Sequence, residues 1–299
     1  MTVWFITGSS RGFGRALVEA VAQKNGGDRV AATARRPEQL DDLVAKYGSD
    51  AVFPVALDVT DPAAVSRAIT TARDHFGRID VVVNNAGYAN VAPIETGDED
   101  DFRRQFETNF WGGVYHVSKA VIPVLRDQGG GLIIQFSSMG GRVGGSPGIA
   151  SYQAAKFAID GFSRVLQTET APFGVRVLVV EPSGFATDWA GSSMTVDAIP
   201  DLYADTVGAM NAVRGGSDAI TAGDPQRAAE ILVKKIAARN DIPYHLPIGG
   251  VTAVDGTLRH DEKLLADDRK WAAVGRSADY GQPYPPAAFP SDNLEGKTA

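Results

Sequence analysis

Short apolar runs alternate with amphipathic stretches along most of this chain. Val3 to Ile6, with Thr2 before it, is the first such run, followed by Arg29–Thr33, Val52–Leu57, Ile79–Val83, Leu132–Phe136 and Arg176–Val180. Each is short, apolar and bounded by turn residues, as a strand buried on both faces is expected to be. Helical patterns fill the intervals. They cover Arg15 to about Gln23, Pro37 to Tyr47 with Leu40, Leu43 and Val44 on one face, and a stretch to about His75 that opens on Thr60-Asp61-Pro62. Asp98 to about Leu125 reads as one long helix interrupted near Trp111-Gly112-Gly113, and Tyr152 to about Thr170 as another. Six strands alternating with helices predict an α/β fold, a doubly wound and mostly parallel sheet in a three-layer arrangement.

The later chain extends this pattern. Asp224-Pro225 starts a helix from Gln226 to about Ala238, and Tyr244–Ile248 suits a seventh strand. No repeat or separating linker is visible, so residues 1–260 are expected to form a single domain. Phe185 to Gly215 carries Trp189, Met194, Ile199, Leu202, Tyr203, Val207 and Met210. That composition fits a mobile lid over an apolar pocket, or an ordinary amphipathic helix on the core. From about His260 the chain reads as polar and irregular, with Pro283, Pro285, Pro286 and Pro290, so 261–299 is expected to wrap the surface or be partly disordered.

Composition narrows the function classes. The net charge of −7 favours solubility and argues against a general nucleic-acid binder. No apolar run approaches the roughly 20 residues of a membrane span. The start lacks the basic and apolar segments of a signal peptide, and there is no cysteine, so disulfides and thiolate metal sites are excluded and a cytoplasmic location is the expectation. His75, His116, His245 and His260 are scattered without metal-ligand spacing, so no metal is expected.

Two stretches carry candidate chemistry. After the first strand comes Thr7-Gly-Ser-Ser-Arg-Gly-Phe-Gly14, then a helix. Gly8, Ser10, Arg11, Gly12, Phe13 and Gly14 would let a pyrophosphate approach the backbone at a helix N-terminus. The second strand ends without the acid that would bind a ribose 2′-hydroxyl. Asp28 precedes that strand, whereas Arg35 and Arg36 follow it, with Arg11 nearby, and guanidiniums there suit a 2′-phosphate. The fourth strand ends in Asn84-Asn85-Ala86-Gly87, a polar tip fit for a ligand crevice.

The second stretch is Gly131 to Lys156. A strand ends in Ser137 and Ser138, a glycine-rich loop follows, and Tyr152 and Lys156 then share one helix face. A lysine ammonium one turn from a phenol is expected to draw its pKa from about 10 toward neutrality. The phenol can then exchange a proton with a carbonyl or alcohol oxygen that Ser138 holds. Asn109, beside the helix irregularity, either exposes polar groups to a water or simply packs two helices.

Taken together these motifs resemble the short-chain dehydrogenase/reductase family, with a Rossmann fold, over roughly residues 2–190 and more weakly to Gly249. The likeness rests on Thr7, Gly8, Gly12 and Gly14, on Asp58-Val59, on Asn84–Gly87, on Asn109, Ser138, Tyr152 and Lys156, and on Pro182-Ser-Gly184-Phe-Ala-Thr187. Two departures are a serine after Pro182, which delays the glycine to Gly184, and a Ser138–Tyr152 loop one residue longer than in many members. The resemblance implies hydride transfer between NADP(H) and a carbonyl or secondary alcohol of a small molecule. Tyr152 would be the acid or base and Lys156 would bind the nicotinamide ribose. Ser138 would hold the substrate oxygen, and Asn109 would place a relay water. Asp58, Val59, Asn85, Ala86, Gly87, Pro182, Gly184 and Thr187 would line the cofactor, with Thr187 on the carboxamide. A homo-oligomer is compatible with the family. Two other functions compete: a non-catalytic NADP(H)-binding redox sensor on the same fold, and a sugar-nucleotide epimerase, which the motif order disfavours.

Overall fold

The computed structural model describes residues 1–24, 27–187, 194–215 and 223–282, with only the backbone for 250–252. Strand β1 is Val3–Ile6, helix α1 Gly12–Ala22, β2 Arg29–Ala34, α2 Asp41–Tyr47, β3 Val52–Ala56, α3 Pro62–Phe76 and β4 Val81–Asn84. Then come β5 Ala89–Val91, α4 Glu99–Phe106, α5 Val117–Asp127, β6 Gly131–Phe136, α6 Ala150–Thr170, β7 Val175–Pro182 and β8 Met194–Val196. Helices α7 Ala209–Gly215 and α8 Pro225–Glu230, strand β9 His245–Ile248 and helix α9 Gly250–Arg276 complete the described chain.

Seven strands form one parallel sheet in the order β3-β2-β1-β4-β6-β7-β9. The doubly wound architecture expected from the sequence is therefore present. Every residue of β1 is buried, and successive side chains go to opposite layers. Trp4 and Ile6 join Leu17 and Val21 of α1 and Ala229 near the C-terminal half on one face. Val3 and Phe5 join Val65, Ile69 and Ala72 of α3 and Val121 and Leu125 of α5 on the other. Burial on both faces explains why the strands read as unbroken apolar runs rather than as alternating ones.

The order in which strands are added reverses between β1 and β4. From β1 the strands step outward through β2 to β3, and from β4 they step the other way. Ligands of open α/β sheets bind at such a switch point, outside the carboxyl ends of the strands.

The irregularity expected within Asp98–Leu125 is a π-helical segment, Glu107–His116, between α4 and α5. Its cause is close packing. A Cβ on Gly112 would fall 2.6 Å from the Val59 carbonyl oxygen, and one on Gly113 would fall 2.8 Å from that of Ala86. The bulge thus seats the segment directly on two loops that line the switch point.

Two readings need correction. The chain beyond His260 is not irregular at once: α9 continues unbroken to Arg276. Its later part is polar because it is exposed, yet Lys263, Leu264, Leu265, Ala266, Arg269 and Lys270 are strong helix formers, and no proline interrupts them. Pro283, Pro285, Pro286 and Pro290 lie outside the described residues. Leu202 of the expected lid is 82% exposed, so it does not face an apolar pocket. Trp189 lies outside the described residues. Beyond these, β5 and β8 pair as a separate two-stranded parallel sheet that docks the start of the lid segment beside the main sheet.

Candidate active site

The glycine turn and the β4 tip are tied together at the switch point. The Thr7 hydroxyl donates to the Val83 carbonyl (3.3 Å) and accepts from the backbone N–H of Asn85 (2.9 Å) and Ala86 (3.1 Å). The Asn85 side-chain amide donates back to the carbonyls of Thr7 (3.0 Å) and Gly8 (3.2 Å). Gly8 and Gly12 take positive φ values of 69° and 55°, which a β-carbon would strain. Gly14 serves packing: a Cβ there would lie 2.1 Å from the Gly8 carbonyl oxygen. Helix α1 begins with no side-chain cap and no acid in its first turn. Its first N–H groups and positive dipole end suit a phosphate, and the turn geometry fits a dinucleotide.

A cleft of about 1260 Å³ opens over this turn. Its lining includes Gly8, Ser10, Arg11, Gly12 and Phe13, then Arg35 and Arg36, Asp58 and Val59, Asn85 to Gly87, and Thr187, all anticipated from sequence. Arg35 and Arg36 are exposed, and neither forms an ion pair among the described residues. Asp58 is fixed as it accepts from the Thr60 backbone N–H (3.0 Å) and hydroxyl (2.8 Å). Thr187 is brought over Gly12, 3.7 Å from where a Cβ would sit. The segment leading to it is pinned by the Gly223 N–H donating to the Gly184 carbonyl (2.9 Å) and by Phe185 packed edge-on to Phe13. Gly14, Pro182 and Gly184 are not in the lining; Gly14 packs α1, and the other two shape the β7 exit. Sequence reasoning missed Gln39, Thr60, Tyr88, Arg104, Glu107, Thr108 and Thr195 in the cleft wall. Proximity to Arg36, Val59 and Asn109 is the signal that would have found most of them.

The four candidate catalytic residues meet at the inner end of the cleft, behind its lining. A Cβ on Gly87 would fall 2.6 Å from Asn109 Oδ1 and 3.9 Å from Lys156 Nζ. Asn109 is buried and clamps Tyr88, donating from Nδ2 to its carbonyl (2.8 Å) and accepting its N–H (2.9 Å). Its side-chain amide is thus committed to holding the β4–β5 connection.

Ser137 and Ser138 have separate duties. The Ser137 hydroxyl is buried and donates to the Lys156 carbonyl (2.9 Å), fixing the β6 tip to α6. Ser138 caps the turn that follows by accepting from the Gly140 N–H (3.0 Å), and it shares a hydrogen bond with the Tyr152 phenol.

The expected acidification of Tyr152 by Lys156 is not what this geometry gives. Burial pushes the phenol up to about 12, and the hydrogen bond from Ser138 only moderates this. The Lys156 ammonium is turned to the Phe136 carbonyl, to which it donates at 2.6 Å, and lies 5.5 Å from the Tyr152 ring centroid. Burial lowers its own pKa to about 8. Desolvation drives both groups toward their neutral forms and outweighs their mutual attraction.

A profile of the short chain dehydrogenase family matches residues 2–196. The chain belongs to that family. It is 50% identical over 269 residues to oxidoreductase BOA17 of Botryotinia fuckeliana, covering 90% of this chain and 96% of that one. A short-chain dehydrogenase from Streptomyces avermitilis superposes with a TM-score of 0.84 at 36% identity, over 93% of this chain and 98% of the other. An alcohol dehydrogenase from the archaeon Thermococcus sibiricus, complexed with 5-hydroxy-NADP, superposes with a TM-score of 0.67 at 26% identity, over 84% and 97%. This short-chain dehydrogenase is accordingly an oxidoreductase of a family that uses nicotinamide cofactors and small-molecule substrates. Among the described residues no helix is long and apolar enough to cross a membrane.

The two serines give a first test. Ser138→Ala should lower kcat about 10-fold or more with a smaller effect on Tm, since it removes the hydroxyl that hydrogen-bonds the Tyr152 phenol. Ser137→Ala should instead lower stability by about 0.5–1.5 kcal/mol, because it removes a buried hydrogen bond to a carbonyl that keeps its helical partner. Paired kinetics and urea unfolding check this, and a reversed pattern would reassign the two roles.

The lysine gives a second. Its pKa is about 8 folded and 10.5 in the unfolded reference, so the unfolded chain holds more protons across that window. Stability contributed by this group is therefore lost as pH falls through about 8 and regained toward 10.5. Lys156→Met should outlast the wild type in thermal melts near neutrality, with the difference shrinking as pH is raised from about 8 to about 10. A difference that is flat in pH would mean the ammonium carries no burial penalty.

Proposed function

We propose that this chain is an NADP(H)-dependent carbonyl reductase or alcohol dehydrogenase acting on a fairly apolar small molecule, in the cytoplasm. The observation that carries this reading is the Ser138–Tyr152 hydrogen-bonded pair above a buried Lys156, at the inner end of the cleft that Arg35 and Arg36 border.

A bound nicotinamide supplies or accepts the hydride. Ser138 directs its hydroxyl at the substrate oxygen, and the neutral Tyr152 phenol donates a proton to that oxygen as negative charge develops on it. A phenol held protonated at neutral pH is prepared for reduction. Lys156, with a pKa near 8, stands one turn away to restore that proton or to bind a ribose hydroxyl. Asn109 holds Tyr88 and the π-helical segment in place and so keeps Gly87 beside Lys156. Ala89, Val91, Ile149 and Val207, with Met194, Ile199 and Tyr203 from the lid segment, pack around Tyr152 and make its surroundings apolar, which favours an apolar substrate.

NADP(H) is favoured over NAD(H) because β2 ends on Ala34, with no carboxylate to hold a ribose 2′-hydroxyl or repel a 2′-phosphate. Arg35, Arg36 and Arg11 all line the same cleft.

Tyr152→Phe should reduce turnover about 10²-fold or more while leaving cofactor affinity near wild type. A panel of ketones and secondary alcohols followed by NADPH absorbance checks this. Cofactor binding without turnover of any of them in the wild type would favour the redox-sensor reading instead.

Arg35→Ala should weaken NADPH binding about tenfold, the worth of a partly screened charge-assisted hydrogen bond, and barely affect NADH. Fluorescence titration of both cofactors at two salt concentrations measures it. Equal wild-type affinities would make these arginines solvated loop residues.

A further inference from the structure

The apolar cluster around Tyr152 is bordered by a cation that its surroundings do not neutralise. Arg214, in α7, donates from Nη2 to the Ser146 hydroxyl (2.6 Å) and to the Pro147 carbonyl (2.8 Å), both on the loop that leads into α6. Its Nη1 is closed off from solvent and has no hydrogen-bond partner. Among the described residues no carboxylate stands within ion-pair distance of this guanidinium. Arg142, at the other end of the same loop, is by contrast held between Glu181 (3.1 Å) and Asp261.

The free nitrogen lies against the buried apolar cluster around Tyr152. A Cβ built on Gly148 would fall 2.8 Å from Val207 Cγ1, 2.9 Å from Val91 Cγ1 and 3.8 Å from Arg214 Nη1. Val91 and Val207 belong to the cluster that also contains Ile149 and Tyr152. A guanidinium keeps its charge in a protein, and leaving one of its N–H groups buried and unpaired is costly. A buried group left in that state requires an explanation, and a ligand that repays the cost is one. Nη2 is already engaged, so one nitrogen remains, with apolar walls and a single positive charge. That suits a monoanion; a phosphate dianion would bring a second charge with nothing to match it.

We propose that Arg214 is a specificity-determining residue that binds a carboxylate on the substrate, which makes the substrate class aliphatic keto acids or hydroxy acids. The identity of the reacting group rests on the reductase reading above; the carboxylate site does not. Because Nη1 is covered and Val91 and Val207 pack on Gly148, binding of the carboxylate requires that packing to open.

The test uses the full chain and titrates octanoate and its uncharged counterpart octanamide, read by calorimetry and thermal shift. The wild type should bind octanoate at least about tenfold more tightly than octanamide. Arg214→Gln should abolish that preference while keeping the affinity for octanamide, and Arg214→Lys should retain part of it. Tyr152→Phe should keep the preference in full. Equal binding of acid and amide by the wild type would overturn the site, as would a preference that survives in Arg214→Gln. Loss of both ligands together in the Gln and Lys variants would show only a lid clamp and would also overturn it. Should no ketone be reduced while the carboxylate preference still depends on Arg214, the reductase reading fails and the site stands.

Discussion

The cleft depends on one hydroxyl. Thr7 stands where the strand order reverses, and its side chain joins the end of β1 to the end of β4 through three hydrogen bonds. Asn85 returns two more to the backbone of the glycine turn. The Thr7 N–H also donates to the Val83 carbonyl (3.0 Å), so backbone and side chain together hold the two tips. Held together, they set Gly8, Gly87 and the α1 N-terminus around one opening. Gly112 and Gly113 then bring the π-helical segment down on the same opening. Asn109 thereby reaches the β4–β5 connection.

Desolvation governs the chemistry at the inner end. The phenol and the amine are both buried, and both move toward neutrality rather than toward an ion pair. The amine is oriented by the Phe136 carbonyl, the last residue of β6, and the neighbouring Ser137 binds the Lys156 backbone. The β6 tip therefore positions Lys156 from two sides. Ser138, one residue on, is left to meet the phenol. Adjacent serines thus divide between holding the helix and touching the Tyr152 phenol.

Much of this was legible in the sequence. The six main strands were readable because burial on both faces leaves an unbroken apolar run. Most of the cofactor cleft was readable because glycine turns and polar strand tips need particular residues at particular places. Other features depend on contacts that no local pattern announces. The π-helical segment is imposed by what Gly112 and Gly113 press against. Strands β5 and β8 are three residues each and exist through pairing across a long stretch of chain. Helix α9 looked irregular because it is solvent-facing, where polarity does not distinguish helix from coil. The high pKa of Tyr152 was missed because spacing fixes which side chains are neighbours but not how much water they lose.

The two outermost strands, β3 and β9, share a chemical feature. Each contains a proline, Pro54 and Pro247. Leu57 gives its N–H inward to Ala34, and Tyr244 and Ile248 give their carbonyls inward to Val179 and Ser183. Residues alternate sides along a strand, so both prolines fall on the open side, where each removes an N–H that an incoming strand would need. The sheet is thereby capped against edge-to-edge growth at both margins. Pairing of the main sheet with an incoming strand is therefore disfavoured at either margin, which leaves the carboxyl edge that carries the cleft as its open border.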